Sequence, residues 1–354
     1  MRILHISSEN TAGVPLTLVR VEKEKGFYSR LMTYFKSPHS HGDDLVLNLP
    51  FSNTRNLLKI KKIFRLGTYE EGKIIKELPV WHPNKLERVF YDVRDKIWEN
   101  KIGKYIDFIY SFDIYILEGG LGLLRSGKII KDLKRKGKKI GIIYMGSDLR
   151  IRGAIEEIED LADKIFTVEL DHTLFHKCAE YIFFPFEVYK FKMKEFKKGR
   201  DITICQAPTN RYLKGTKYLI KAYNSLREKY PIMLDIMENL PHKEVLKRKF
   251  YECDILVDQL TDLGGFGYGI NSLEALSMGI PCITYLNPSY ESFIPDHPFI
   301  NANPGDLRDK LEDLIVNEDI RRVKGIYGRE WVQKYHDARN VDDKILNKLI
   351  GHKV

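Results

Sequence analysis

Short apolar runs alternate with amphipathic stretches along most of this chain, and that alternation restricts the fold more than any other feature. "RILHIS" reads as a strand, "LTLVRVEKEKG" as a helix closed by Gly26, and "YSRLMTYF" as a strand again. The pattern resumes with strand "DIYIL", helix "LLRSGKIIKDLKRKG", strand "KKIGIIYM", helix "IEEIEDLADK" and strands "KIFTVEL" and "EYIFFPF". A charged break, "EVYKFKMKEFKKGRD", reads as a linker, and the alternation then restarts at "ITICQAP". Strands separated by helices demand a parallel sheet covered on both faces. The chain is 354 residues long, which suits two such domains. The fold expected is therefore α/β: two Rossmann-like, doubly wound domains in tandem, facing a cleft. Ligands in such sheets sit outside the carboxyl ends of the strands. Residues 37–100 mix aromatic and basic segments and read as insertions of the first domain.

Composition narrows the partners. The formal net charge of +9 favours anionic partners: phosphates, nucleic acid or an acidic membrane surface. Three basic stretches, "RNLLKIKKIFR", "RSGKIIKDLKRKGKK" and "KFKMKEFKKGR", read as solvated helix faces and a linker. Their apolar–basic interleaving leaves open a peripheral contact with anionic lipid. Of these anionic partners, a nucleic acid is not expected. No apolar run approaches a membrane span, and Met1–Ile6 lacks the apolar core of a secretory signal, so a cytoplasmic location is expected. The four cysteines, widely spaced, read as buried thiols, with no zinc site or disulfide framework expected.

Five segments place chemistry at strand ends. After "ITICQAP" comes "TNRYLKGT", with Arg211 and Lys214 three residues apart before a turn. A planar fork and a point charge there suit a diphosphate, although both also read as ordinary loop cations. In "GFGYGINSLEALSMGIP" glycines precede a helix. Backbone at Gly269, Ile270 and Asn271 can meet a phosphate, and Glu274, one turn on, can accept hydrogen bonds from a sugar's hydroxyls. The alternative is a plain turn followed by an acid favoured by the helix dipole. Gly13 in "SSENTAGVP", with Pro15 at the helix start, offers a second phosphate cradle. "MGSDLR" brings Asp148 and Arg150, and "LEGGLG" brings Glu118, to strand ends. Each of these could instead be an N-cap or a surface ion pair, and for Glu118 the two readings stand equal.

The runs "APTNRYLKGTKYLIKA", "DILVDQL" and "YGINSLEALSMGIPCITY" resemble the retaining GT-B glycosyltransferases that carry a paired-glutamate motif, the group 1 or family 4-like class. "HPFINANPGDLRDKLEDLI" and the helix around Trp331 are similar to that family as well. The resemblance implies domains at 1–187 and 188–335, with a terminal helix at 336–354 crossing back to the first. It implies a nucleotide-sugar donor used as substrate, no other cofactor and no metal, and hexosyl transfer with retention to an unidentified acceptor, a glycan or lipid-linked sugar. Arg211 and Lys214 would then bind the diphosphate and stabilise the leaving group. Gly269 and Ile270 would hold phosphate, Glu274 the ribose, and Gly13 would match the glycine of the first loop. Two positions depart from the family. Phe266 stands where the first glutamate of the pair contacts the donor sugar, and no histidine follows "DIYIL", where Glu118 is the nearest polar group. These departures keep two other readings in view, a nucleotide-sugar epimerase on the same fold and a non-catalytic nucleotide-sugar-binding protein. Acceptor-dependent release of nucleoside diphosphate separates transfer from both.

Overall fold

A computed structural model of the chain describes residues 1–37, 42–52, 75, 77–195, 201–263 and 265–351. The basic stretch at 55–65 and the end of the stretch at 190–200 lie outside the described residues. The described chain forms two compact units. One comprises Met1 to Pro185 together with the C-terminal residues from Ala338; the other is Phe186–Asp337.

The first unit is built on a seven-stranded parallel sheet of order β3-β2-β1-β4-β5-β6-β7. Its strands are β1 (Arg2–Ser7), β2 (Tyr28–Thr33), β3 (Leu45–Val46), β4 (Ile114–Glu118), β5 (Lys139–Tyr144), β6 (Lys164–Thr167) and β7 (Ala179–Tyr181). β1 pairs with β2 on one side and β4 on the other, so the winding reverses between β1 and β4. One face is covered by α1 (Val14–Glu24) and the C-terminal α14 (Ala338–Ile350), which bring Val14, Leu18, Val341 and Leu346 against Ile3 and Ile116. The other face is covered by α2 (Lys85–Gly103), α3 (Ile106–Tyr110) and α4 (Lys128–Arg135). The return of the terminal helix to the first unit matches the expectation. It is tied there by Lys25, which donates to Asp342 at 2.8 Å and Asp343 at 2.6 Å, and by Arg339 to Glu24 at 2.9 Å. Gly141 in β5 leaves room for Leu349; a Cβ there would lie 2.9 Å from its methyl carbon.

Two expected helices are shorter than their periodicity. α4 begins only at Lys128, because Leu124–Gly127 forms a turn and Gly127 adopts φ 65°. The "IEEIEDLADK" helix closes to α5 (Glu156–Glu159), because Asp163 is drawn to the sheet, exchanging hydrogen bonds with Ile140 at 2.7 and 2.8 Å. Short α6 (His172–Phe175) follows β6.

The second unit carries a five-stranded parallel sheet of order β12-β11-β10-β8-β9. Its strands are β8 (Ile202–Gln206), β9 (Ile232–Ile236), β10 (Ile255–Val257), β11 (Cys282–Thr284) and β12 (Ile300–Asn301). The helices are α7 (Arg211–Lys214), α8 (Thr216–Leu226), α9 (His242–Tyr251), α10 (Ile270–Ser277), α11 (Pro288–Phe293), α12 (Leu307–Val316) and α13 (Glu318–Tyr335). Leu219 and Leu226 of α8 and Leu311 of α12 bury one face against Ile204 and Ile255. Here the winding reverses between β8 and β10. Cys205, Cys253 and Cys282 are buried as expected, whereas Cys178 is exposed, beside β7 at the sheet edge. No described helix is long and apolar enough to cross a membrane.

Candidate functional site

In the second unit, the reversal point brings the ends of β8 and β10 together. Asp258, the first residue after β10, is buried there. One of its carboxylate oxygens accepts from Lys214 Nζ at 2.7 Å; the other accepts from the Gly269 amide at 3.0 Å and Ser272 Oγ at 2.7 Å. A buried carboxylate thus caps α10 from outside the helix. Burial alone would push the Asp258 carboxyl up, but the Lys214 ammonium and these hydrogen bonds hold it below its usual range. Lys214 also donates to Gln259 at 3.2 Å. It lies on α7, a four-residue helix whose start is capped by Asn210. Arg211 opens that helix at the surface, and its Nε donates to Glu238 at 2.9 Å.

Glu274 occupies the second turn of α10 and is 2% exposed. His242 Nε2 donates to one of its oxygens at 2.6 Å, and Lys249 Nζ donates to the other. Lys249 also donates to Asn271 Oδ1, while Asn271 Nδ2 holds the Ala207 carbonyl at 2.9 Å at the end of β8. Burial raises the Glu274 carboxyl, but the Lys249 charge and the His242 hydrogen bond outweigh it and leave the group below its ordinary value. Glu274 therefore sits beneath a half-exposed histidine, with Lys249 below it in the interior. Ile270 begins the helix, and Phe266 lies partly buried in the loop ahead of it. That loop is pinned by Tyr268, which stacks on Phe299 at 4.6 Å and meets His336 Nε2 through its hydroxyl at 2.9 Å. Gly267, at φ 77°, lies flat against the Tyr290 ring, where a Cβ would fall 1.5 Å from a ring carbon.

In the first unit, Gly13 adopts φ 75° and hands the chain into α1, with Pro15 in the first turn. Asn10 Oδ1 accepts from the Leu16 amide at 3.3 Å, so a side chain already serves that helix start. Glu118 is neither a helix cap nor a surface pair. It is buried, with one oxygen 3.2 Å from His5 Nδ1, while His5 Nε2 lies 3.1 Å from both oxygens of Glu22. Burial opposes a charged His5, yet Glu22 and Glu118 push its pKa up to about 10. Burial raises the Glu118 carboxyl, His5 offsets this in part, and the group stays above its usual value. The second Glu118 oxygen is buried without a hydrogen-bond partner among the described residues, and Glu118 is one of the residues around a cavity of about 620 Å³. This cavity opens beyond the ends of β1, β4 and β5, and α2 contributes Tyr91, Arg94 and Trp98 to its wall. Arg94 lies over the Trp98 ring at 4.1 Å, and Arg125 over Trp81 at 5.1 Å. Asp148, also on the wall, spends its oxygens on the amides of Met145, Gly146 and Leu149 at 2.8–2.9 Å; it closes the turn after β5. Arg150 is bound to Glu169 and Asp171.

Four groups escaped the sequence reading: Asp258, Lys249, His242 and His5. Two left a signal. His5 interrupts an otherwise apolar central strand, and Lys249 follows buried Val245 by four residues on the inner face of α9. Asp258 was visible only as the acid ending "DILVD", and His242 left no signal.

The chain matches no protein-family model. A stretch of 112 residues, 28% of the chain, is 30% identical to an uncharacterized glycosyltransferase of Methanocaldococcus jannaschii, and it spans 31% of that relative. Sucrose-phosphate synthase from Thermosynechococcus elongatus superposes with a TM-score of 0.59 at 11% identity, covering 99% of this chain and 100% of that one. An α-glucosyltransferase, in complex with UDP and a mismatched DNA 13-mer, superposes with a TM-score of 0.62 at 12% identity, with the same coverage. At such identities the likeness speaks for architecture. Two parallel, doubly wound sheets with a terminal helix returned to the first unit make this a chain of the GT-B fold.

Proposed function

We propose that the protein is a glycosyltransferase that moves a sugar from a nucleoside-diphosphate donor to a hydroxyl-bearing acceptor. The observation that carries this reading is the grouping of Lys214, Arg211, the start of α10 and Glu274 at the reversal point of the second sheet. Cations and a helix N-terminus suit a diphosphate, and a carboxylate one turn along suits ribose. The partial match to a glycosyltransferase and the shared fold support it.

An ammonium has three N–H donors, and Lys214 spends two on Asp258 and Gln259, leaving one for a phosphate oxygen. Arg211 engages Glu238 through Nε, and its side chain is half exposed. The Gly269 amide is committed to Asp258, so the phosphate contacts fall to Ile270 and Asn271 at the next positions of the helix start. Glu274 reaches a ribose only when His242 turns aside, and Lys249 keeps the carboxylate ionised meanwhile. Phe266 offers an apolar ring to the donor sugar where the similar family carries a carboxylate.

In the step itself, the bond from the anomeric carbon to the diphosphate oxygen breaks as a bond to the acceptor oxygen forms on the same face. The acceptor proton passes to the departing phosphate oxygen, which leaves the anomeric configuration retained. Lys214 and Arg211 balance the charge that grows on the leaving group. The first-unit cavity, walled by Trp81, Tyr91 and Trp98, offers aromatic faces that suit a sugar ring.

The test is a thermal-shift screen over nucleoside diphosphates and their sugars, followed by assay of diphosphate release with candidate acceptors. A uridine nucleotide is tried first, since the similar α-glucosyltransferase was solved with UDP. Stabilisation by a nucleoside diphosphate and acceptor-dependent release support the reading. Tight binding without turnover, or release of an epimerised donor, overturns it.

A further inference from the structure

Helix α2 is apolar on two sides. Its inner side buries Tyr91, Trp98 and Ile102. Its outer side shows solvent Leu86 (83% exposed), Val89 (62%), Val93 (55%), Ile97 (39%) and Phe90 (37%). Spaced three and four residues apart, these five form one stripe, about 100° wide at the ordinary turn of a helix. Phe51, 61% exposed, lies 6.2 Å from Phe90 and widens the patch at one end. The helix needs no help to form, since Asn84 and Glu87 make a complete capping box at its start.

The charges beside the stripe have one sign. Lys85 and Lys96 border it on one side and Lys101 on the other, with Lys104 just beyond the end; Asp92 and Glu99 fall further round. We infer that this outer face of α2 docks on a membrane surface rich in anionic lipid. An apolar stripe edged by lysines fits the acyl–headgroup boundary, with the side chains inserted and the ammonium groups at the phosphates. A second copy fits it poorly, because two such stripes laid together would set lysine edge against lysine edge. The other side of the same helix walls the first-unit cavity with Tyr91, Arg94 and Trp98, so a docked helix holds that cavity next to the lipid. The inference rests on the helix surface and does not depend on the transfer reading.

The test uses the full chain with Cys178→Ser, which removes the exposed thiol, and Val93→Cys carrying a polarity-sensitive dye. Vesicles of equal phosphatidylglycerol and phosphatidylcholine are compared with phosphatidylcholine alone. The expected result is a blue shift and co-sedimentation with the anionic vesicles. Leu86→Glu with Val89→Glu lowers that binding at least about tenfold, with thermal unfolding unchanged. No shift with anionic vesicles overturns the inference, as does unchanged binding by the double variant, which places the contact elsewhere. A shift without vesicles also overturns it: one that grows with protein concentration assigns the face to a second copy, and one independent of concentration assigns it to the protein's own chain.

Discussion

Lys249 and Glu274 form an ion pair sealed from water, the lysine side chain fully buried and the glutamate 2% exposed. Each charge offsets much of the cost of burying the other, with His242 on Glu274 and Asn271 on Lys249 as further partners. Lys249→Met leaves the buried carboxylate with the His242 hydrogen bond alone and is expected to cost about 3–5 kcal/mol of unfolding free energy. Lys249→Met combined with Glu274→Met restores most of that stability, because no uncompensated charge remains. Urea denaturation midpoints of the two variants decide; an equal loss in both would mean that packing, and not charge, is what the pair supplies.

Lys214→Ala is expected to weaken nucleoside-diphosphate binding about 10- to 100-fold, the range of one lost hydrogen bond to a charged group, roughly 1.5–3 kcal/mol. Arg211→Ala loses less, since that side chain is half exposed and solvent screens it. Isothermal titration of the folded variants measures both. Affinity unchanged by Lys214→Ala would remove phosphate contact from the proposal.

Stability of the first unit is expected to fall between about pH 6.5 and pH 10. His5 is pushed from 6.5 up to about 10 in the folded state, against burial, by Glu22 and Glu118. The folded state therefore holds this proton more tightly than the unfolded chain does. Its contribution is complete below 6.5 and disappears as pH rises through 10. Asp342, pushed up to about 7 by burial and by Glu22, acts in the same direction at lower pH. His5→Gln should flatten the upper part of the profile; thermal melts across this range show whether the slope survives the substitution.

Gly267→Ala forces a methyl group into the Tyr290 ring at a backbone angle that side chains avoid. About 1–3 kcal/mol of strain then displaces the loop ahead of α10, and nucleotide affinity should drop with it. Gly141→Ala, which pushes on Leu349 of α14, serves as the contrast: it should lower stability and leave nucleotide affinity alone.

The strands were legible because each is a short apolar run between breakers, and parallel strands buried on both faces carry that pattern plainly. The positions of Arg211, Lys214 and Glu274, proposed for donor binding, were legible because the first two follow a strand end and the third lies in the helix behind the glycine loop. What sequence could not give was pairing across distance. Glu274 meets a lysine 25 positions away, and Glu118 meets a histidine 113 positions away. Nothing local in either segment names its partner. Helix lengths failed for a related reason: Asp163 is claimed by β5, a tertiary hydrogen bond that outweighs the helical periodicity of the residues before it.

The placement of α14 has a consequence for how the protein is made. The second unit is one continuous stretch, Phe186–Asp337, whereas the first is interrupted by it and completed by the helix at Ala338–Ile350. On the ribosome, the strands of the first sheet emerge early but must wait, with the face around Ile3, Ile116 and Phe166 covered only in part by α1, until the whole second unit has been synthesised. The part of the chain translated first is therefore the part that finishes folding last.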